Sequence, residues 1–371
     1  MAVSNQKPGG GRIDTTRALA DHLGLSRWTI SRVLNGHPGV KASTRQRVEA
    51  AMAELGFAPN PMARGLRGGR TRMIGVVFQE LETPVLVKKV MALQTRLRAA
   101  GYQAVIELTG GRSDEEERVI QSFFNLQVDG VVLVGSTLTA DHALVRELAA
   151  ARPAVLLVDP AHTGLPFPEV TLDRRAAMPL LMRHLHNLGH RRFALLGINA
   201  ESPYGRERIE GLRRATRSLG LSGKTAFGAY AEPGPPVQDY GYGWRLAEQA
   251  LLAREPASAW LCLNDRVALG AIKRLEAAGL QVPADRSVTG FDNLDVGAFS
   301  RPTLTTIDQQ VDTQMARTVT LLMSGFEQGA APAEPAGPLR IEPRLKPRAS
   351  TGTAPREPVA AGTLDLPPTR V

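Results

Sequence analysis

Beyond Arg72 the chain alternates short apolar runs rich in Val, Ile and Leu with amphipathic stretches, and this alternation restricts the fold more than any other feature. Strands are expected at 73–78, 103–108, 130–134, 154–158, 192–197, 259–263 and 287–291. Helices are expected between them at about 84–99, 115–126, 141–150, 175–188, 204–218, 238–253 and 265–278. A strand followed by a helix before the next strand pairs in parallel, and a parallel sheet needs cover on both faces. The strands exceed what one compact sheet needs, so the expectation is two similar lobes with a ligand cleft between them.

The first 72 residues are of another kind. They hold twelve basic against four acidic side chains, so a net +8 of the chain's formal +9 lies here, and 33 basic face 32 acidic groups in the remainder. A compact basic module joined to a neutral one points to a polyanionic partner for the first. A merely solubilising arm would lack the helical apolar spacing of Leu19 and Leu23, then Ile30, Val33 and Leu34, then Val48, Met52 and Leu55. Gly24 is placed to turn the first helix into the second, which Ser26 caps. Ser43-Thr44-Arg45-Gln46 fits a capping box opening the third helix, and Gly56 closes it. A tight helix-Gly-helix pair followed by a third helix is a helix-turn-helix domain.

Composition excludes several other classes. No apolar run approaches the roughly 18 residues of a membrane span, and Met1 to Gly11 contains no hydrophobic segment of the signal-peptide kind, so the protein is expected in the cytoplasm. The single cysteine, Cys262, offers neither an internal disulfide nor a metal cluster and is expected in the core. No Gly-x-Ser-x-Gly elbow occurs, and Gly223-Lys224-Thr225 lacks the upstream glycine of a phosphate loop because Ser218 stands there. His184 and His186 face different sides of their helix and His190 follows its end at Gly189, so no metal site and no cofactor are expected. The acidic run Asp114 to Glu117 reads as a helix first turn.

The run Leu25-Ser26-Arg27-Trp28-Thr29-Ile30-Ser31-Arg32-Val33-Leu34-Asn35, with Ser43-Thr44-Arg45, Met52 to Phe57 and Pro59-Asn60, resembles the headpiece of the LacI/GalR repressor family. The resemblance implies that the second helix lies in the major groove of double-stranded operator DNA. It puts Arg27 and Trp28 at the two positions that choose the operator and Arg32 at a base-reading position, where a guanidinium fork can pair with guanine O6 and N7. Thr15, Ser26, Thr29, Ser31, Asn35 and Thr44 would fix register through phosphates. The segment from Asn60 to Arg70 resembles the family's hinge, with Asn60 and Ala63 on the DNA and Leu66 at the position of a leucine that wedges into the minor groove. Read without the family, that segment is a basic, glycine-rich linker. Thr16 and Ala18 depart from the aliphatic and acidic residues often found near the start of the first helix.

The later motifs resemble the same family: Ile74-Gly75-Val76-Val77, Val128-Asp129-Gly130-Val131, His184 to Arg192, Asn264-Asp265, Val282-Pro283, Gly290-Phe291-Asp292, Pro302 to Thr306 and Arg348 to Thr351. The resemblance therefore covers about residues 15–351 and implies an α/β, two-lobed, periplasmic-binding-protein-like domain with parallel sheets behind an all-α headpiece. Asp159, Arg208, Asn264 and Asp292 fall on positions that hold a polyol in the family, and charge-assisted bonds suit vicinal hydroxyls. Asp159 and Asn264 serve equally well as strand-end caps. Asp173-Arg174 stands where the family usually has Asp-Asn, and Val85 where it often has an aromatic. Arg174 either favours an anionic sugar derivative or points outward.

The expected organisation is a disordered arm (1–14), the headpiece (15–59), a hinge (60–72), the ligand-binding and dimerisation domain (73–351) and a disordered tail (352–371). The function implied is that of a homodimeric, ligand-responsive transcriptional repressor on a pseudo-palindromic operator, with a small carbohydrate effector, no catalysis and no membrane partner. The proline-rich tail lacks leucine heptads, so assembly is expected to stop at the dimer. The alternative is a sugar-binding transport protein, which shares the two lobes but requires a signal peptide and no headpiece.

Overall fold

The computed structural model describes residues 13, 15–34, 37–57, 70–150, 154–162, 164–221, 227–232, 239–328 and 337–356. The chain divides into two compact units between Arg72 and Met73.

The smaller unit is three helices, α1 (Thr16–Leu23), α2 (Arg27–Leu34) and α3 (Ala42–Leu55), closed around Leu19, Leu23, Ile30, Val33, Val48 and Phe57. Ile13 packs against this core, so the expected disordered arm reaches order at that residue. Gly24 ends α1 at φ 62, a left-handed conformation that costs glycine nothing. Ser26 Oγ accepts from the Thr29 amide at 3.1 Å, as its capping position requires. The capping box at Ser43 does not form. Helix α3 begins two residues earlier, with Lys41 at its N-cap and no side-chain cap, because the Arg45 amide already donates to the Lys41 carbonyl at 3.1 Å.

Thr15 does cap α1, its hydroxyl accepting from the Ala18 amide at 3.0 Å. A helix of two turns depends heavily on such an end, since nucleation is costly. Thr15→Ala is therefore expected to destabilise the smaller unit by about 1 kcal/mol. Calorimetric melting checks this, and an unchanged midpoint for that unit refutes the role.

In the larger unit, β1 (Met73–Phe78), α4 (Pro84–Ala99), β2 (Gln103–Leu108), α5 (Ser113–Asn125), β3 (Gly130–Val134), α6 (Ala143–Ala150), β4 (Ala154–Val158) and β5 (Glu169–Leu172) build lobe 1. Lobe 2 follows as α7 (Arg174–Asn187), β6 (Phe193–Leu196), α8 (Pro203–Ser218), β7 (Phe227–Tyr230), α9 (Tyr240–Leu252), β8 (Ala259–Cys262), α10 (Asp265–Ala277), β9 (Ser287–Thr289) and α11 (Asp295–Phe299). After β10 (Thr306–Asp308) the chain returns to lobe 1 as α12 (Val311–Gln328) and β11 (Leu339–Ile341), then leaves it through β12 (Arg344–Lys346). The lobe 1 sheet has order β11-β5-β4-β3-β1-β2 and that of lobe 2 β7-β6-β8-β9, every pairing parallel. Strands β1, β3, β4, β6 and β8 are buried almost throughout, the consequence of helices on both faces. Helices α9 and α10 touch through their backbones: a Cβ on Gly243 would fall 2.0 Å from the Val267 carbonyl oxygen, and one on Gly270 1.9 Å from that of Tyr240.

The strand-helix alternation holds, with β5, β7, α11, α12 and β10 to β12 added to it. Cys262 lies in the lobe 2 core beside Trp260 and Tyr242. The expected tail begins too early. Gly352 accepts from His190 Nε2 at 3.0 Å and the Ala354 amide donates to the Leu188 carbonyl at 2.8 Å, so residues 352–356 are anchored to lobe 2. Residues 357–371 and 58–69, with most of the hinge, lie outside the described residues.

Candidate functional site

The smaller unit turns one face of α2 outward. Arg27 is exposed and Trp28 keeps 67% of its surface exposed, an unusual state for an indole. One turn on, the Arg32 guanidinium lies 4.4 Å above the Trp28 ring centroid. Its NH2 donates to His37 Nδ1 at 2.7 Å, and the Gly39 amide donates to the same nitrogen at 3.2 Å, which assigns the ring proton to Nε2. Arg45 steadies the loop by donating to the His37 carbonyl at 3.0 Å. Arg32 is thus held between an indole and an imidazole before any partner arrives. Thr29 and Ser31 are half-buried on α2, and Thr44 is half-buried in the first turn of α3. Thr15 and Ser26 are exposed, their hydroxyl oxygens already accepting from amides at the helix ends. Asn35, Asn60, Ala63 and Leu66 lie outside the described residues. His37 carries no signal in the sequence, since its partner Arg32 meets it only through the turn that α2 makes.

In the larger unit the four expected residues sit at strand ends or facing them, between the lobes. Asp159 follows β4 at φ 47 and Asp292 follows β9 at φ 120, backbone conformations that cost energy and concentrate at sites of function. Arg208, on α8, is buried; it stacks 3.8 Å from the Phe291 ring centroid and donates to the Leu263 carbonyl at 2.5 Å. Burial lowers its pKa to about 10 against the opposing pull of Asp292. Burial pushes the Asp292 carboxyl up to about 6 despite Arg208 and the Gln309 amide, which donates to it at 2.5 Å. Asp265 is pushed up to about 7 by burial and then by Asp292, and accepts from Thr306 Oγ1 at 2.5 Å and the Leu294 amide at 2.6 Å. Asn264 caps α10, accepting from the Val267 amide at 2.9 Å, which is one of the two roles open to it.

Asp159 is the centre of a buried network. Its Oδ2 accepts from Lys89 Nζ at 2.5 Å and Gln314 Nε2 at 2.8 Å. Its Oδ1 accepts from Arg174 NH1 at 2.9 Å, the Leu172 amide at 2.9 Å and Thr171 Oγ1 at 3.1 Å. Burial alone would raise its pKa, but Arg174 and Lys89 outweigh it and hold the carboxyl far below the ordinary range. Arg174 therefore turns inward, stacked 4.4 Å from the Tyr204 ring centroid. The lobes meet across this network: Tyr204 donates to the Asp159 carbonyl at 2.7 Å, Lys88 to that of Asn293 at 3.3 Å and Arg266 to that of Glu82 at 2.9 Å. The structure brings Arg208, Asp292 and Asn264 together and gives Asp159 a full set of protein partners. Lys89, Tyr204 and Gln314 escaped the sequence reading.

Among the described residues no helix is long and apolar enough to cross a membrane. Residues 17–60 match the model of bacterial regulatory proteins of the lacI family, and residues 182–351 match that of a periplasmic binding protein-like domain. The HTH-type transcriptional regulator MalR of Streptomyces coelicolor is 35% identical over 350 residues, spanning 92% of this chain and 98% of that protein. The structure of the lac repressor dimer bound to operator and an anti-inducer superimposes with a TM-score of 0.78 at 27% identity, covering 91% of this chain and 99% of that one. The transcriptional regulator CelR in complex with cellobiose gives a TM-score of 0.63 at 26% identity, over 91% of this chain and 99% of its own. With a headpiece and a two-lobed domain each matched in order, and a relative of this identity aligned along almost its whole length, the chain belongs to the lacI family of bacterial regulatory proteins.

Proposed function

We propose that the protein is a homodimeric, cytoplasmic repressor whose hold on a pseudo-palindromic operator is controlled by a carbohydrate seated between the lobes. The observation that carries this reading is the guanidinium of Arg32 fixed between Trp28 and His37 on an outward helix face, where the N–H donors it does not give to His37 can meet a base edge. Arg27 and Trp28 select the operator, while Thr15, Ser26, Thr29, Ser31, Asn35 and Thr44 contact phosphates. Residues 60–72 form the hinge, with Asn60, Ala63 and Leu66 against the minor groove. Arg208, Asp292 and Asn264 contact the effector, and Asp159 shapes the cleft through Arg174. A second copy is proposed to cover large apolar side chains left exposed on the larger unit, Phe299 at 87% and Met91 at 63% among them. The headpiece disfavours the transport protein, which has no use for one, and the role is binding rather than catalysis.

Selection from a randomised duplex pool, followed by fluorescence anisotropy and light scattering, tests the reading. The expected result is one two-half-site sequence bound by a particle of dimer mass, because two-fold protein symmetry is mirrored in the DNA. Binding without sequence preference removes the reading, and a stable tetramer removes its dimer limit.

A further inference from the structure

Three cations converge in the interior of the larger unit, and their hydrogen-bonding capacity is largely unused. Lys89 is 3% exposed, and its one hydrogen bond among the described residues goes to Asp159 Oδ2. Arg174 is 6% exposed; it donates to Asp159 Oδ1, and Glu207 stands off at 3.9 Å. Arg208, also 6% exposed, donates to the Leu263 carbonyl, while its buried Nε meets no acceptor. An ammonium has three N–H donors and a guanidinium five, so each group has an acceptor but uses only part of its donor set among the described residues.

The acceptors nearby are fewer than these donors: Gln314 Oε1 and Gln309 Oε1 are buried without a partner among the described residues, beside Asp159 and Asp292. Both Asp159 oxygens are taken by Lys89, Gln314, Arg174, the Leu172 amide and Thr171. Asp292 accepts from Gln309 on one oxygen, leaving the other for a ligand hydroxyl. The cleft is rich in donors and poor in acceptors. A neutral polyol answers this badly, since every hydroxyl that accepts also brings a proton needing an acceptor of its own. A carboxylate or phosphate brings acceptors alone, and its bonds to cations are the short, strong kind. Lys89 and Arg174 share Asp159 as their close carboxylate partner, so an anion that gives them a second gains what a neutral group cannot.

We propose that the effector is an anionic carbohydrate whose acidic group is held by Lys89 and Arg174, with its hydroxyls toward Asp292 and Arg208. The proposal rests on the reading that a carbohydrate effector binds between the lobes. Arg174 is the specificity-determining residue, because the family's usual asparagine at this position would leave one cation fewer. A shallow pocket of about 210 Å³ lined by Asp173, Arg175, Arg214 and Arg340 is a poorer anion site. Arg175 and Arg214 pair with Glu210 at 2.7 and 2.5 Å, and Arg340 with Glu207 at 3.8 Å.

The test is calorimetric titration of the full chain with matched panels: aldoses, their aldonic and uronic acids, and their phosphates, for example glucose, gluconate, glucuronate and glucose 6-phosphate. The expected result is that an acid or a phosphate binds at least about tenfold more tightly than its neutral parent, and which of them binds separates carboxylate from phosphate. Arg174→Asn is expected to reduce that ratio to near unity, while Arg174→Lys, which keeps the charge, preserves much of it. The ratio is read within each variant, so a loss of folding cannot imitate the result; a variant that binds no member of the panel is replaced by Lys89→Met, for which the same narrowing is expected. Tighter binding of the neutral sugars overturns the inference and leaves the carbohydrate reading standing. A preference that survives Arg174→Asn and Lys89→Met but vanishes in Arg214→Ala overturns the site. Failure of every panel member to bind, with operator binding intact, overturns the carbohydrate reading itself.

Discussion

Arg208→Ala is expected to abolish the response of operator binding to the effector, with effector affinity falling about 100-fold. The guanidinium is buried, flat against Phe291, and balances Asp292, whose pKa stands at about 6 even with this partner present. Alanine removes the charge-assisted donor and leaves the Asp292 carboxyl buried without its cation, which pushes it further toward the protonated form. Loss of a hydrogen bond to a charged group together with that penalty is worth about 3 kcal/mol, which is the stated factor. A ligand alters DNA affinity only by preferring one lobe arrangement, so a ligand that no longer binds at working concentration carries no bias. Effector affinity is read by calorimetry and operator affinity by anisotropy, with near-ultraviolet circular dichroism as the check on folding. Normal effector binding, or lost operator binding in a well-folded variant, shows the assignment to be wrong.

Arg32→Ala is expected to have the largest effect on DNA. Each guanidinium paired bidentately with a guanine is worth about 1–3 kcal/mol of discrimination, and a dimer on two half-sites loses two of them, about 2–6 kcal/mol in all. Random DNA should lose far less, because there only the electrostatic contribution of two charges disappears. Preference at one base pair in each half-site should relax. The effect is larger than removal of a mobile arginine would give, since Trp28 and His37 hold this one in place at 4.4 and 2.7 Å and little ordering remains to be done on binding. Anisotropy on cognate and scrambled duplexes at one fixed salt concentration decides the matter, and equal losses on both contradict base reading.

Much of the architecture was legible because burial writes itself into local pattern. Parallel strands covered on both faces become unbroken apolar runs such as Gly130–Val134 and Ala154–Val158, and Gly24 and Ser26 mark the turn of the small unit by their own chemistry. Helix α12 was missed because its buried seam mixes Met315 and Leu322 with the equally buried Gln314 and Thr318, which reads as polar. The three-residue strands β10 to β12 exist only through pairing with distant partners. Lys88 and Lys89 look alike as neighbours in sequence, yet about 100° of helical rotation sends them to different surroundings. Lys88 pairs with the exposed Asp295 and Lys89 with the buried Asp159, 70 residues away, a difference no local pattern records. The direction of Arg174 was likewise undecidable until β4 placed Asp159 beside it.

The return of the chain to lobe 1 has a consequence for biosynthesis. The lobe 2 sheet lies within Phe193–Thr289, but lobe 1 waits for α12 and for β11, whose Leu339 to Ile341 pair with Val170 to Leu172 of β5. During translation the earlier-made lobe is thus the later one to be completed, with β5 exposed as an unpaired edge while more than a hundred further residues are added. A chain released before Leu339 ends that side of the sheet on β5 instead of β11 and never gains the pairing of Val170 to Leu172, so premature termination near the end of the message is expected to leave lobe 1 less stable while the lobe 2 sheet is already complete.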